Sequence, residues 1–143
     1  MKDTGAKEAH EAASKDPNVV LIDVRSVGEY QDGHPAGSLN IPIMNKGMMG
    51  MSPNQDFLAV VTACVPKDKK VLLSCMSGNR SGRAGMILEQ NGWKDVTNVR
   101  SGWGGVRDMG GNVTEPGWLA LGLPTEKGDQ AGRSYADLQK KAK

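Results

Sequence analysis

The run Val19-Val20-Leu21-Ile22-Asp23-Val24 is apolar without alternation until Asp23. A strand with one wet face alternates in polarity, whereas an unbroken apolar run suits a strand buried on both faces. A second apolar run, Val71 to Leu73, follows, and Val96 to Val99 alternates like a strand. Between them lie segments with helical spacing: Phe57, Val60, Val61 and Cys64, then Ala84, Ile87 and Leu88. Strands alternating with helices predict an α/β fold, an open parallel sheet flanked by helices on both faces. At 143 residues the chain suits a single domain with a real core. The ends of strands 19–24, 71–74 and 96–99 are expected to converge near Cys75.

The chain divides into an N-terminal helix within residues 1–18, a core over 19–109, and a loop-rich C-terminal extension over 110–143 that packs on the same domain. Residues 4–16, rich in Ala, Glu and Lys, read as helix, ended by Pro17. Asp23 and Arg25 read as a structural ion pair at a strand end. Ser26 with Glu29 makes a capping box for a short helix. His34 falls in a turn marked by Gly33, Pro35 and Gly37, and reads as a backbone-bonding residue; Leu39 to Ile41 is a short strand. Residues 44–52, with Met44, Met48, Met49 and Met51, read as a flexible apolar loop. Ser52 and Pro53 mark a helix start, which makes Cys64 a buried, inert residue on a core stripe. Gly92 is the natural stop for the helix after Cys75. Beyond Met109, Trp118, Leu119, Leu121 and Leu123 are expected anchors, and Ser134 to Lys143 a short helix with Tyr135 and Leu138 inward.

The chemistry is concentrated in Cys75-Met76-Ser77-Gly78-Asn79-Arg80-Ser81. A cysteine reacts as the thiolate, a form favoured by helix N-termini and cations. Here the loop runs straight into a helix, whose first N–H groups lack partners and favour an anion. Gly78 permits a tight turn, Ser77 and Asn79 tolerate one, and Arg80 brings a permanent charge with a fork of donors. Such a loop stabilises a thiolate, binds an anion, or holds a charged intermediate on sulfur. Trp103 is placed either as a wall beside Cys75 or as a surface packing residue.

Other chemistries find little support. Net charge is +2 and aromatics are 4%, so no case exists for nucleic-acid binding. No C-x-x-C or His-x-x-x-His spacing points to zinc, and no metal or cofactor is expected. Ser101-Gly102-Trp103-Gly104-Gly105 is not a dinucleotide fingerprint, because Arg107 stands where the third glycine belongs. No apolar run is long enough for a membrane helix, so no membrane partner is expected. A cytoplasmic setting is the default, and a removed export signal is compatible with it.

Taken together, the motifs resemble the single-domain rhodanese, or thiosulfate sulfurtransferase-like, family. They are Asp23-Val24-Arg25 with Glu29-Tyr30, the stretch Gly33 to Pro42, the loop Cys75 to Ser81, Gly92-Trp93 through Val99, and Ser101-Gly102-Trp103. They cover roughly residues 19–109. Pro35 and Ser101 depart from the family's usual residues. The resemblance implies ping-pong sulfur transfer. Cys75 takes the outer sulfur of thiosulfate or a similar small anionic donor, and the persulfide passes it to a thiol or cyanide. Met76, Ser77, Gly78, Asn79 and Arg80 would form the substrate cradle, with Arg83 a further attraction for the donor. Two alternatives stay open. One is a sulfur carrier loaded by a relay protein. The other is an arsenate reductase or phosphatase-like enzyme, a class whose loops hold five residues between Cys and Arg where this one holds four.

Overall fold

A computed structural model describes residues 1–143. Its elements run β1 (Lys2–Thr4), α1 (Ala6–Lys15), β2 (Val19–Asp23), α2 (Val27–Asp32), β3 (His34–Pro35), β4 (Leu39–Asn40), β5 (Met44–Gly47) and β6 (Gly50–Pro53). There follow α3 (Phe57–Cys64), β7 (Lys70–Ser74), α4 (Asn79–Gln90), β8 (Val96–Val99), β9 (Val106–Arg107), β10 (Val113–Glu115), β11 (Thr125–Glu126) and α5 (Tyr135–Lys140). The central sheet has five strands in the order β1-β8-β7-β2-β4, every pair parallel.

The unbroken apolar runs are explained by cover on both faces. Leu21 and Leu72, paired across β2 and β7, pack with Ala6 and Ala9 of α1 and with Trp118. Their chain neighbours Ile22 and Leu73 point the other way, onto α3, α4 and α5 through Val60, Ala84, Leu88 and Leu138. Complete burial of a side chain such as Leu73 stabilises by about 1.5–3 kcal/mol. The helix α4 stops where Gly92 takes φ +103°, with Trp93 N–H donating to Leu88 O at 3.1 Å, a Schellman closure. No helix is long and apolar enough to cross a membrane.

Four local readings are corrected. An edge strand, β1, precedes the first helix; its polar side chains carry no apolar signal because main-chain pairing to β8 holds it. The methionine stretch is a hairpin, β5 against β6, turning at Met48-Met49 with Gly50 at φ +91°. Met48, Met49 and Met51 face solvent and only Met44 packs against the core, so pairing again replaced burial as the main organising force. Pro53 belongs to that hairpin, and α3 starts at Phe57, after Asn54 Oδ1 has accepted the Asp56 N–H at 3.1 Å. Among the late anchors only Trp118 is fully buried, its indole N–H donating to Pro124 O at 2.7 Å. Leu119 and Leu121 lie on a turn and face outward.

Candidate active site

Cys75 follows β7 directly and is 1% exposed. The loop from Cys75 to Gly78 then enters α4. Gly78 takes the left-handed conformation, φ +92°, and a Cβ there would stand 2.6 Å from Arg100 O. Only glycine makes this turn without displacing the chain after β8. That same chain grips the loop from outside: Trp103 N–H donates to Cys75 O at 2.8 Å and Gly104 N–H to Met76 O at 2.9 Å. Gly102, at φ +50°, leaves no room for a Cβ against Cys75 O.

Six main-chain N–H groups, from Met76 to Ser81, run through the loop into the first turn of α4. Gly78 N–H donates to Cys75 Sγ at 3.2 Å and Ser81 N–H at 3.4 Å. The N–H groups of Met76, Ser77, Asn79 and Arg80 have no acceptor within the protein. Unpaired donors in the loop and at the start of a twelve-residue helix favour negative charge. The Ser81 hydroxyl lies 3.2 Å from Sγ and donates to Asn98 Oδ1 at 2.6 Å.

Arg80 does not point its fork at the sulfur. Its guanidinium donates to both oxygens of Glu29, at 2.7 and 3.0 Å, and so ties the loop to α2. Burial alone would raise the Glu29 carboxyl, but the bond to Arg80, the charge of Arg80 and the donors of Ser26 outweigh it, and the carboxyl falls to about 2. The same pairing pushes the Arg80 guanidinium up. Met76 is a partly exposed side chain, Ser77 and Gly78 are half-buried, and Asn79 is exposed. Arg83 is exposed on α4, beside Ile43 and Phe57 rather than at the loop.

Beside the loop is a cleft of about 360 Å³. Met76, Trp103 and Leu119 give it apolar walls, and Asp32 and Lys127 are among its charged lining. Trp103 therefore walls the space next to Cys75's neighbour, with Arg25 stacked 5.0 Å from its ring centre. Arg25 is held in turn by Asp23 at 2.8 Å and donates to Gly33 O at 2.6 Å, the structural pair expected at the end of β2. His34 bonds the backbone, with Nδ1 2.7 Å from Tyr30 O.

Sequence reasoning placed Ser81 in the loop without a role of its own, and it missed Asn98 and the far wall of the cleft. Ser81 was accessible in principle, because it is the third residue of α4 and its free N–H must point back toward the loop. Asn98 and Leu119 arrive only through tertiary pairing.

The chain belongs to the rhodanese-like family: the rhodanese-like domain model matches residues 6–108. Thiosulfate sulfurtransferase 16, chloroplastic, of Arabidopsis thaliana is 35% identical over 105 residues, which cover 73% of this chain and 78% of that protein. Protein HIGH ARSENIC CONTENT 1, mitochondrial, of the same plant is 35% identical over 89 residues, 62% of this chain and 53% of that one. Among solved structures, Rv0390 from M. tuberculosis superposes with TM-score 0.75 at 30% identity, covering 90% of this chain and 98% of that one. The polysulfide-sulfur transferase homodimer from Wolinella succinogenes shares the fold, with TM-score 0.63 at 21% identity over 92% of this chain and 82% of that one. Membership of a sulfurtransferase family is thereby established.

Proposed function

We propose that the protein transfers sulfane sulfur through a persulfide on Cys75, from thiosulfate or a similar small anionic donor to a thiol or cyanide. The observation that carries this reading is the ring of N–H groups from Met76 to Ser81, two on Sγ and four unpartnered. A negative outer sulfur on Cys75 would satisfy donors that the protein leaves free.

The chemistry balances without an oxidant. The Cys75 thiolate attacks the outer sulfur of thiosulfate. A new S–S bond forms, the old one breaks, and sulfite departs with the electron pair. The acceptor, as a thiolate or cyanide, then attacks the outer sulfur of the persulfide. It leaves as a persulfide or thiocyanate, and the Cys75 thiolate returns. The names of the relatives, a thiosulfate sulfurtransferase and a polysulfide-sulfur transferase, support the same reading. So does the loop, whose four residues between Cys75 and Arg80 fit one sulfur better than a tetrahedral oxyanion, the load of a phosphatase or arsenate reductase.

The test is the intact mass after incubation with thiosulfate. Wild type should gain about one sulfur atom, lost again to cyanide with release of thiocyanate, and Cys75→Ser should gain nothing. No gain on wild type removes thiosulfate as donor. Loading by a cysteine desulfurase alone would then identify a carrier fed by a relay protein.

A further inference from the structure

Cys75, Ser81, Asn98 and Gly78 close a ring. Sγ accepts from Gly78 N–H at 3.2 Å and lies 3.2 Å from Ser81 Oγ. Ser81 Oγ donates to Asn98 Oδ1 at 2.6 Å, and Asn98 Nδ2 donates to Gly78 O at 3.2 Å. Cys75 and Ser81 are buried, and Asn98 is 8% exposed. The Gly78 carbonyl decides which way the Asn98 amide faces. Reversed, Oδ1 would oppose that carbonyl, two acceptors with no proton between them. Ser81 therefore meets an acceptor, and its single hydroxyl proton is committed to Asn98.

Toward sulfur the hydroxyl then offers lone pairs only. Lone pairs suit a neutral S–H and oppose a thiolate, whereas the two main-chain N–H groups favour the thiolate. The two influences disagree, and Asn98 sets the balance. We propose that Asn98 is a positioning residue that holds the Ser81 proton away from Cys75 and yields it only while Sγ itself is charged. In the thiolate the hydroxyl turns to sulfur and Asn98 Oδ1 loses its partner. In the persulfide, a state that rests on the function proposed above, the charge sits on the outer sulfur and the hydroxyl returns to Asn98.

The charged groups around the sulfur are Arg80 of α4, paired with Glu29 of α2, and the Asp23–Arg25 pair at the end of β2. β8 carries no titratable side chain, and Arg100 just beyond it is paired outward with Glu115. None of these is altered in the variants that test the proposal.

The measurement is the rate of Cys75 alkylation by iodoacetamide against pH, in a Cys64→Ala background, with thermal unfolding as the check on folding. Asn98→Ala frees the Ser81 proton for sulfur. Gly78 O keeps a donor there, Gly82 N–H at 3.0 Å. The profile should move to lower pH by about half a pH unit, with about a twofold faster reaction on its acid limb, because the more acidic thiol is also the weaker nucleophile. Adding Ser81→Ala should abolish that shift. Asn98→Asp binds the proton more firmly and should move the profile to higher pH, by less when Ser81→Ala is added. An unmoved or upward profile for Asn98→Ala overturns the proposal, as does a downward shift that survives Ser81→Ala. Should Asn98→Ala fail to fold, an Asn98→Asp shift unaffected by Ser81→Ala overturns it equally. No sulfur donor enters this assay, so its failure leaves the persulfide reading intact, and absence of sulfur uptake leaves the ring intact.

Discussion

Glu29 and Arg80 meet in a two-pronged ion pair, at 2.7 and 3.0 Å, that fastens the first turn of α4 to the first turn of α2. Glu29 also accepts from the Ser26 N–H at 3.2 Å, completing the capping box. One carboxylate thus caps a helix and steadies the cysteine loop.

That double role predicts an acid-sensitive contribution to stability. The Glu29 carboxyl lies at about 2 when folded, below the ~4.3 of a free glutamate. A depressed carboxyl stabilises the fold fully above the free value, and the contribution is lost as pH falls toward the folded one. With its side chain 30% exposed, the contribution is on the order of 1–2 kcal/mol after allowance for solvent screening. Chemical denaturation between pH 5 and pH 2 should show wild type losing about that much relative to Glu29→Gln. Equal losses in both proteins would refute the assignment.

The C-terminal segment should depend on a second pair. Arg133 donates to both oxygens of Glu126, at 2.7 and 3.0 Å, and β11 pairs with β3. The bond to Arg133 is the largest influence holding the Glu126 carboxyl at about 2, so this clamp also weakens only at low pH. Arg133→Ala should lower the melting temperature by about 2–4 °C. Amide exchange should quicken first around residues 125–133, measured by mass spectrometry, while β7 and β2 stay protected.

Gly78→Ala and Gly102→Ala should damage stability and sulfur uptake together. Each added Cβ meets main chain, Arg100 O in one case and Cys75 O in the other, at a positive φ. Each should cost about 2–4 kcal/mol. A stable Gly78→Ala protein with normal uptake would show that the left-handed turn is dispensable.

Cys64→Ala should leave uptake at one sulfur per chain. Cys64 is only partly buried, and its Sγ lies 3.6 Å from Leu138 O on α5 and has no contact with the loop's donors. Burial pushes its thiol up, which makes it the less reactive cysteine. Sulfur retained by Cys75→Ser but lost by Cys64→Ala would reverse the assignment.

What could be read in the chain was whatever burial or local spacing encodes. The runs ending at Asp23, Ser74 and Val99 announced the three central strands, and Ser26 with Glu29 announced a cap that is present atom for atom. Hidden were elements held by main-chain pairing. Lys2–Thr4 and the Met44–Pro53 hairpin keep their side chains largely in water, so their residue types say nothing of their partners. The partner of Arg80 was hidden for a different reason. Glu29 lies 51 residues away and was already explained by its cap. Asn98 lay within a strand and showed no sign of the cysteine it serves until β8 was seen beside β7.

The cleft next to Met76 draws its walls from both sides of one boundary in the chain. Trp103 and Met76 fall inside the span the family shares, residues 6–108, whereas Leu119, Thr125 and Lys127 fall outside it. Substitution in the later stretch can therefore reshape what the cleft admits while every donor around Cys75 keeps its place. The wall from Leu119 to Lys127 and the donors from Met76 to Ser81 are therefore separate targets for substitution.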